Sequence, residues 1–487
     1  MFANYVFEKS SALYVKKMII WDIDNLMKNE NIADVFRIHD FTVIWYEGDL
    51  ELRINHSSEI FDETKKVLLI AMPEQYVPYD VLSRFTQYFF KISELFPLLN
   101  SDVVRELKRT DKDLLVQVYA QNFTSYIHKD ETRFYLKKEV YSQSNVNRYL
   151  AYTIKLLKEQ SDRAESCCDW FDIAMNKARA DVLAAKYGCE VKTDHINNKF
   201  ADYVLKEFGK LAGSLSKRSP LLVSRTMEYM NDSSDKFVLI VMDGMSEFDW
   251  EILQNSFEDI NYQKEAMFAM IPTTTSVSRQ CLLSNKYPSQ LTNPWNQSKE
   301  RAEFIECAKK FGFQDNQIAY ARGYDSDLGL FVKCGVIIIN DIDDLVHGQQ
   351  QGKIGMYHDI NIMLQQRKLR NLVDRLLKAG FDIYISSDHG NTLCTGTGKL
   401  MGTGVETETK SKRMIVLKDF ANKEQIKEQR NLLEYPKYYL PKEYDYLICP
   451  EGKSFDSKDS IVMSHGGITI DEVVVPFIKI KAVDNNG

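Results

Sequence analysis

The sequence predicts an α/β protein: a mostly parallel sheet sandwiched by helices, preceded by a small N-terminal α/β unit and a helical connector. Three observations carry this reading. Five runs after residue 232, "FVLIVMDGM", "CGVIIINDIDD", "FDIYISSDHGNT", "RMIVLKDF" and "DEVVVPFIKI", are of strand length and apolar on both faces, as strands covered by helices on each side must be. The segments between them are long enough for helices. In three of the runs an acidic residue stands at or just past the C-terminal end, the edge where α/β sheets place their ligands.

The elements follow in order. Residues 1–95 hold "KKMIIWDID", "FTVIWYEG" and "KKVLLIAMP", three strand-like runs spaced for intervening helices, hence a small α/β domain. Residues 96–232 change period: "YLAYTIKLLKEQ" and "DIAMNKARADVLAAKYG" carry apolar residues at helical spacing, which predicts a helical connector domain. "MNDSSDK" reads as the loop before a third domain, 233–487. A chain of 487 residues exceeds one ordinary core, so two or three domains are expected.

Composition narrows the class. The net charge of −7 disfavours a protein that coats nucleic acid mainly by charge. No apolar run approaches the ~20 residues of a membrane span, and the N-terminus lacks the apolar core of a secretory signal. The eight cysteines are scattered without a CxxC pair, as in a reduced, cytoplasmic protein.

The candidate chemistry sits at the strand ends. Asp243 closes the first run; Asp388 and His389 close another; Asp343 and His347 stand four apart; His465 precedes the last run. Three carboxylates and three imidazoles form an oxygen/nitrogen set suited to zinc or manganese. A single aspartate after a strand is most often a cap or turn residue, and a single DHG is a weak signal. However, four of the eight histidines follow residue 346, three of them in short polar turns beside apolar runs. Between Asp243 and Asp343 lies "IPTTTSVSRQCLLSNKYP", a hydroxyl-rich turn at a helix start.

This order of Asp, Thr at a helix start, DxxxH, DH and a late His resembles the alkaline phosphatase superfamily. In detail it is similar to the PglZ branch known from bacterial phage-defence (BREX) systems. "LIVMDGMSEFDW", "IPTTTSVSRQCLLSNKYP", "YISSDHGNT" and "SHGGITIDEVVVPFI" carry the likeness over roughly residues 235–482. The resemblance implies two divalent metal ions, zinc or alternatively manganese. One falls to Asp343, His347 and His465; the other to Asp243, Asp388 and His389, sharing the oxygen of a nucleophile. That nucleophile falls on Thr275, three residues past Pro272, since a metal lowers a hydroxyl's pKa and a helix start favours phosphate. Ser276 or a neighbouring threonine would cap the helix, Thr273 and Thr274 would be structural, and Ser278, Arg279 and Gln280 would contact substrate. Many relatives have Arg-Asn where this chain has Arg279-Gln280.

The implied activity is a metal-dependent phosphodiesterase or phosphatase, diesters favoured over monoesters. It would act on a phosphate ester such as a nucleotide or nucleic acid, alongside other defence-system proteins and away from membranes. A non-catalytic, metal-bound scaffold or switch subunit is the alternative. Asp22-x-Asp24 also resembles the first motif of haloacid dehalogenase-type phosphatases, but Leu26 departs from it and a capped strand end is simpler. His358 is a substitute ligand candidate, Asp341 and Asp344 compete with Asp343, and Glu247 and Asp249 read as solvated helix residues. The stretch from Gly396 to Arg413 reads as a flap or an ordinary exposed loop, with Lys399, Lys410, Lys412 and Arg413 as phosphate contacts in the first case.

Overall fold

The computed structural model of the chain describes residues 1–29, 32–122, 124–214, 218–400, 404–406 and 411–482. They fall into two compact units, Met1–Leu150 and Ala151–Gly487, and the helical stretch from residue 96 to 232 contributes helices to both.

The first unit is built on a four-stranded parallel sheet in the order Thr42–Trp45, Val67–Ala71, Lys17–Asp22, Thr86–Phe90. Its two inner strands are buried throughout, which is why their sequences read as continuous apolar runs. The fourth strand, "TQYFF", is a partly exposed edge and has no such run. Asp22 accepts N–H groups of Leu26 (2.8 Å) and Met27 (3.0 Å), and Asp24 accepts the N–H of Ile92 and pairs with Arg105 at 3.1 Å. Both carboxylates thus anchor the turn after the first strand.

The second unit holds a six-stranded sheet in the order Gln263–Phe268, Val474–Ile480, Asp382–Ser386, Phe237–Met242, Cys334–Ile339, Ile318–Arg322. Phe237–Met242 runs parallel to both of its neighbours, and Ile318–Arg322 is parallel to Cys334–Ile339. Val474–Ile480 is antiparallel to both strands beside it. Register fixes the site: Met242 lies opposite Ile339, and Val241 opposite Ser386. The residues that follow these strands, Asp243, Asp388 and the helix bearing Asp343, therefore leave the sheet at one edge. One expected member is elsewhere. "RMIVLKDF" supplies Met414–Leu417 to a separate sheet ordered Val405–Glu406, Met414–Leu417, Asp445–Ile448, Leu433–Glu434. A third small sheet, Lys453–Ser454, Thr392–Gly396, Ile461–Ser464, delivers the chain to His465.

Helices cover the central sheet. Cys167–Tyr187 begins with a Ser166–Asp169 capping box and ends at Gly188, whose φ of +63° suits the helix stop. It buries Trp170, Phe171, Ile173 and Leu183, and also Lys177. Among the described residues no helix is long and apolar enough to cross a membrane.

Candidate metal centre and nucleophile turn

Two three-residue groups have ligand atoms within 4.8 Å of one another: Asp243, Asp388, His389, and Asp343, His347, His465. They are built from the sheet edge outward. Asp243 follows the central strand directly, and its N–H reaches Ile339 O at 2.8 Å. Gly244 then turns the chain with φ +73°; a Cβ there would meet Asp343 Oδ1 at 3.4 Å, so glycine serves both the turn and the close approach. Gly244 N–H donates to Asp388 Oδ1 at 3.3 Å.

His389 faces Gly390 O with Nδ1 at 3.1 Å, which leaves Nε2 directed at the site. From there Nε2 is 3.8 Å from both Asp243 Oδ1 and Asp388 Oδ2. On the other side, Asp343 and His347 lie one turn apart on Asp341–Gly348, with His347 Nε2 at 3.3 Å from Asp343 Oδ2. His465 Nε2 is 3.7 Å from Asp343 Oδ1, and its Nδ1 is 3.0 Å from Thr273 O. The rings of His389 and His465 stack at 4.2 Å and 15°, joining the two groups.

Thr275 opens the turn Thr275–Arg279. Its Oγ1 lies 3.4 Å from Asp243 Oδ1 and 3.2 Å from His389 Nε2. Thr273 holds the opposite wall: its hydroxyl donates to Gly467 O at 2.9 Å and accepts Gly466 N–H at 3.0 Å. Thr274, at the N-cap of the turn, makes no side-chain cap hydrogen bond among the described residues, and its Oγ1 lies 3.3 Å from Ser276 Oγ.

The three residues expected at the substrate are engaged with protein. Ser278 Oγ bridges Met270 N–H and Asp388 O, and Gln280 Nε2 donates to Ser276 O and Asn293 O. Buried Arg279 pairs through Nη1 with Asp243 Oδ2 and through Nε with Glu300 Oε2 at 2.7 Å. His358 is exposed and outside both groups; half-buried Asp341 and exposed Asp344 also lie outside them. In the stretch from Gly396 to Arg413, Lys410 lies outside the described residues. Lys399 is exposed, Lys412 pairs with Asp456 at 3.0 Å, and Arg413 is buried 3.0 Å from Glu472 Oε2.

The expectation of solvated Glu247 and Asp249 is overturned: both are buried. Glu247 pairs with Lys264, and Asp249 Oδ2 accepts Ser246 N–H and Asn391 Nδ2, each at 2.7 Å. Asn391 also donates to Gly244 O at 2.9 Å, clamping the two metal-side turns together. Behind the DHG turn, a Cβ on Gly390 would lie 2.0 Å from Asp471 O. Asp471 is gripped by buried Lys177 (2.7 Å), which also holds Asp181 (2.8 Å). Asn391, Glu300 and Lys177 were missed from sequence; only Asn391, beside DHG, stood near a recognisable motif.

Electrostatics favour a cation. Burial, then the charge of Asp243, pushes Asp388 well above the usual carboxylate range. Burial also acts to raise Asp343, but the hydrogen bond from His347 and the charges of His465 and His389 hold it below that range. Burial and neighbouring His389 lower His465 to about 4. Among the described residues Asp388 Oδ2 and Asp343 Oδ1 are buried with no hydrogen-bond partner, a state native structures rarely leave unexplained. A carboxylate-rich set with oxygen and nitrogen donors, and an unsatisfied oxygen in each group, fits a pair of divalent ions.

Residues 223–480 match the family described as the BREX system PglZ alkaline phosphatase-like domain. The chain belongs to that family, and its α/β architecture is the one the family name states. Solved structures with a similar fold include murine ectonucleotide pyrophosphatase/phosphodiesterase 5, 15% identical, covering 50% of this chain and 88% of that one with a TM-score of 0.34. Phosphonoacetate hydrolase from Sinorhizobium meliloti 1021 is 9% identical, covering 52% and 92%, with a TM-score of 0.33. A search of curated proteins finds no match to this chain.

Proposed function

We propose that this PglZ-family protein is a metal-dependent hydrolase of phosphoric esters, with diesters preferred, and that Thr275 is its nucleophile. The observation that carries the reading is the position of Thr275 Oγ1, 3.2 Å from His389 Nε2 and 3.4 Å from Asp243 Oδ1. A site that bound metal only as a scaffold has no use for a hydroxyl held against its ligands.

Two divalent ions, zinc or manganese, held by Asp243, Asp388, His389 and by Asp343, His347, His465, would acidify the Thr275 hydroxyl and neutralise charge on the phosphoryl oxygens. Thr275 gives up its proton and Oγ1 attacks phosphorus in line with the leaving oxygen. The P–O bond to the leaving group breaks as the bond to Thr275 forms, and the leaving oxygen takes up the proton that Thr275 gave up. Water then hydrolyses the phosphothreonine ester, its hydroxyl going to phosphorus and its other proton to Oγ1. Arg279 does not reach substrate in this account. It pairs with Asp243 and holds that carboxylate in place, and Ser278 fixes the backbone of Asp388.

The family description supports a setting in bacterial phage defence, in the cytoplasm, with other proteins of that system as partners. The test is hydrolysis of a chromogenic phosphodiester and its matching monoester with zinc, manganese or chelator, beside Thr275→Ala. Metal-dependent diester cleavage that vanishes in the variant is the expected result. Undiminished turnover by Thr275→Ala removes it as nucleophile.

A further inference from the structure

We propose that a cavity beside the nucleophile turn takes the base of a nucleotide-type ester. This rests on the phosphoesterase reading and narrows its substrate class. The cavity has a volume of about 730 Å³ and is lined by Thr292, Asn293, Trp295, Tyr439, Lys442 and Tyr444 among others; small-molecule sites span ~300–1,000 Å³.

Its rings are held in place. Trp295 stands edge-on to Tyr444, with centroids 5.6 Å apart at 87°. Tyr439 stacks on Tyr287 at 4.7 Å and 14°. The Tyr439 hydroxyl accepts Ala212 N–H at 2.9 Å and donates to Phe208 O at 3.1 Å. Preset aromatic side chains lose little freedom when a flat ligand packs against them.

The cavity is tied to the chemistry by one side chain. Gln280 begins the short helix after Thr275–Arg279, and its Nε2 donates both to Ser276 O in the turn and to Asn293 O in the cavity wall. The cavity wall at Asn293 is thus joined to the nucleophile turn through the Gln280 side chain. The lining also chooses the ligand. An inorganic phosphate would leave the rings unused, and a hydrocarbon chain would set apolar surface against the charged Lys442 and Glu443. A heterocyclic base uses both, its face on the aromatic side chains and its edge on polar groups.

The experiment measures binding of adenosine 5′-monophosphate and ribose 5-phosphate by calorimetry to zinc-loaded Thr275→Ala protein. The two probes carry the same phosphate and differ by the base. The nucleotide is expected to bind roughly ten-fold tighter or more. Adding Trp295→Ala or Tyr444→Ala should bring it down to the ribose 5-phosphate value, with ribose 5-phosphate itself unchanged. Tyr444 is only half-buried, so its variant keeps the test usable if loss of Trp295 impairs folding. Equal binding of the two probes, or a preference that survives both aromatic substitutions, overturns the cavity proposal. Diester turnover by the unmodified protein without any base preference would remove the cavity and keep the proposed function. A base preference in a protein that hydrolyses nothing would do the reverse.

Discussion

The two ligand groups differ in how the fold holds them. Asp243, Asp388 and His389 are 3%, 0% and 0% exposed, follow two adjacent parallel strands, and face a buried arginine. Asp343 and His347 instead share a short helix, and the His347 side chain is 53% exposed. They meet His465 on a loop that Thr273 pins. The inner group is part of the sheet edge, whereas the outer group is laid across its rim. Ligation and stability should therefore be inseparable inside and separable outside.

The sharpest way to break that contrast is Arg279→Met. It leaves Asp243 and Glu300 buried without their shared counter-charge, and loss of one partner of a buried pair costs ~3–5 kcal/mol. Urea unfolding should show a loss of that order; a change below about 1 kcal/mol would mean that the inner group does not depend on this pair.

Lys177→Met probes the same side from behind. Asp471 keeps Lys353, at 3.5 Å, so a loss of roughly 2–4 kcal/mol is expected. The DHG turn should loosen with it. Elemental analysis should find the inner ion depleted and the outer retained; full occupancy of both would show that Lys177 does not position His389.

Asp249 sharpens the comparison through pH. Burial holds its carboxyl up at about 6, against an ordinary 3.8. Its folded pKa is raised, so the stability it contributes is present below 3.8 and is lost as pH rises through about 6. Asp249→Asn should match the unmodified protein near pH 4 and exceed it by roughly 2–3 kcal/mol at pH 8. Equal stabilities at both values would contradict the burial argument.

His347→Ala is the smallest effect on folding. At a half-exposed rim position a stability change within about 0.5 kcal/mol is expected, while one ion of two is lost and turnover falls. A chelator should strip the outer ion before the inner one, which timed metal analysis would follow.

Much of the fold was legible because buried parallel strands leave continuous apolar runs, as in "FVLIVMDGM" and "CGVIIIN". Edge strands left no such trace. "QKEAMF" and "IAYAR" each face solvent in part, and their pairing is decided by neighbours distant in sequence. "RMIVLKDF" has the same apolar look as a central strand, and nothing local says which sheet it joins. The side chains singled out as ligands were legible because Asp243, Asp388, His389 and His465 follow strand ends, and Asp343 and His347 share the helix that follows another strand, so the sheet's register brings the elements together. The supporting charges were not: Arg279 meets Glu300, and Lys177 meets Asp471, across gaps that no periodicity spans. Glu247 and Asp249 looked solvated because a charged residue in a helix usually is.

The measurement that tests the central claim most directly is cleavage of a chromogenic phosphodiester by the zinc-loaded protein and by zinc-loaded Thr275→Ala, with bound metal counted in both. The account predicts two ions in each protein and turnover only in the first. Two ions in each with equal turnover would contradict it.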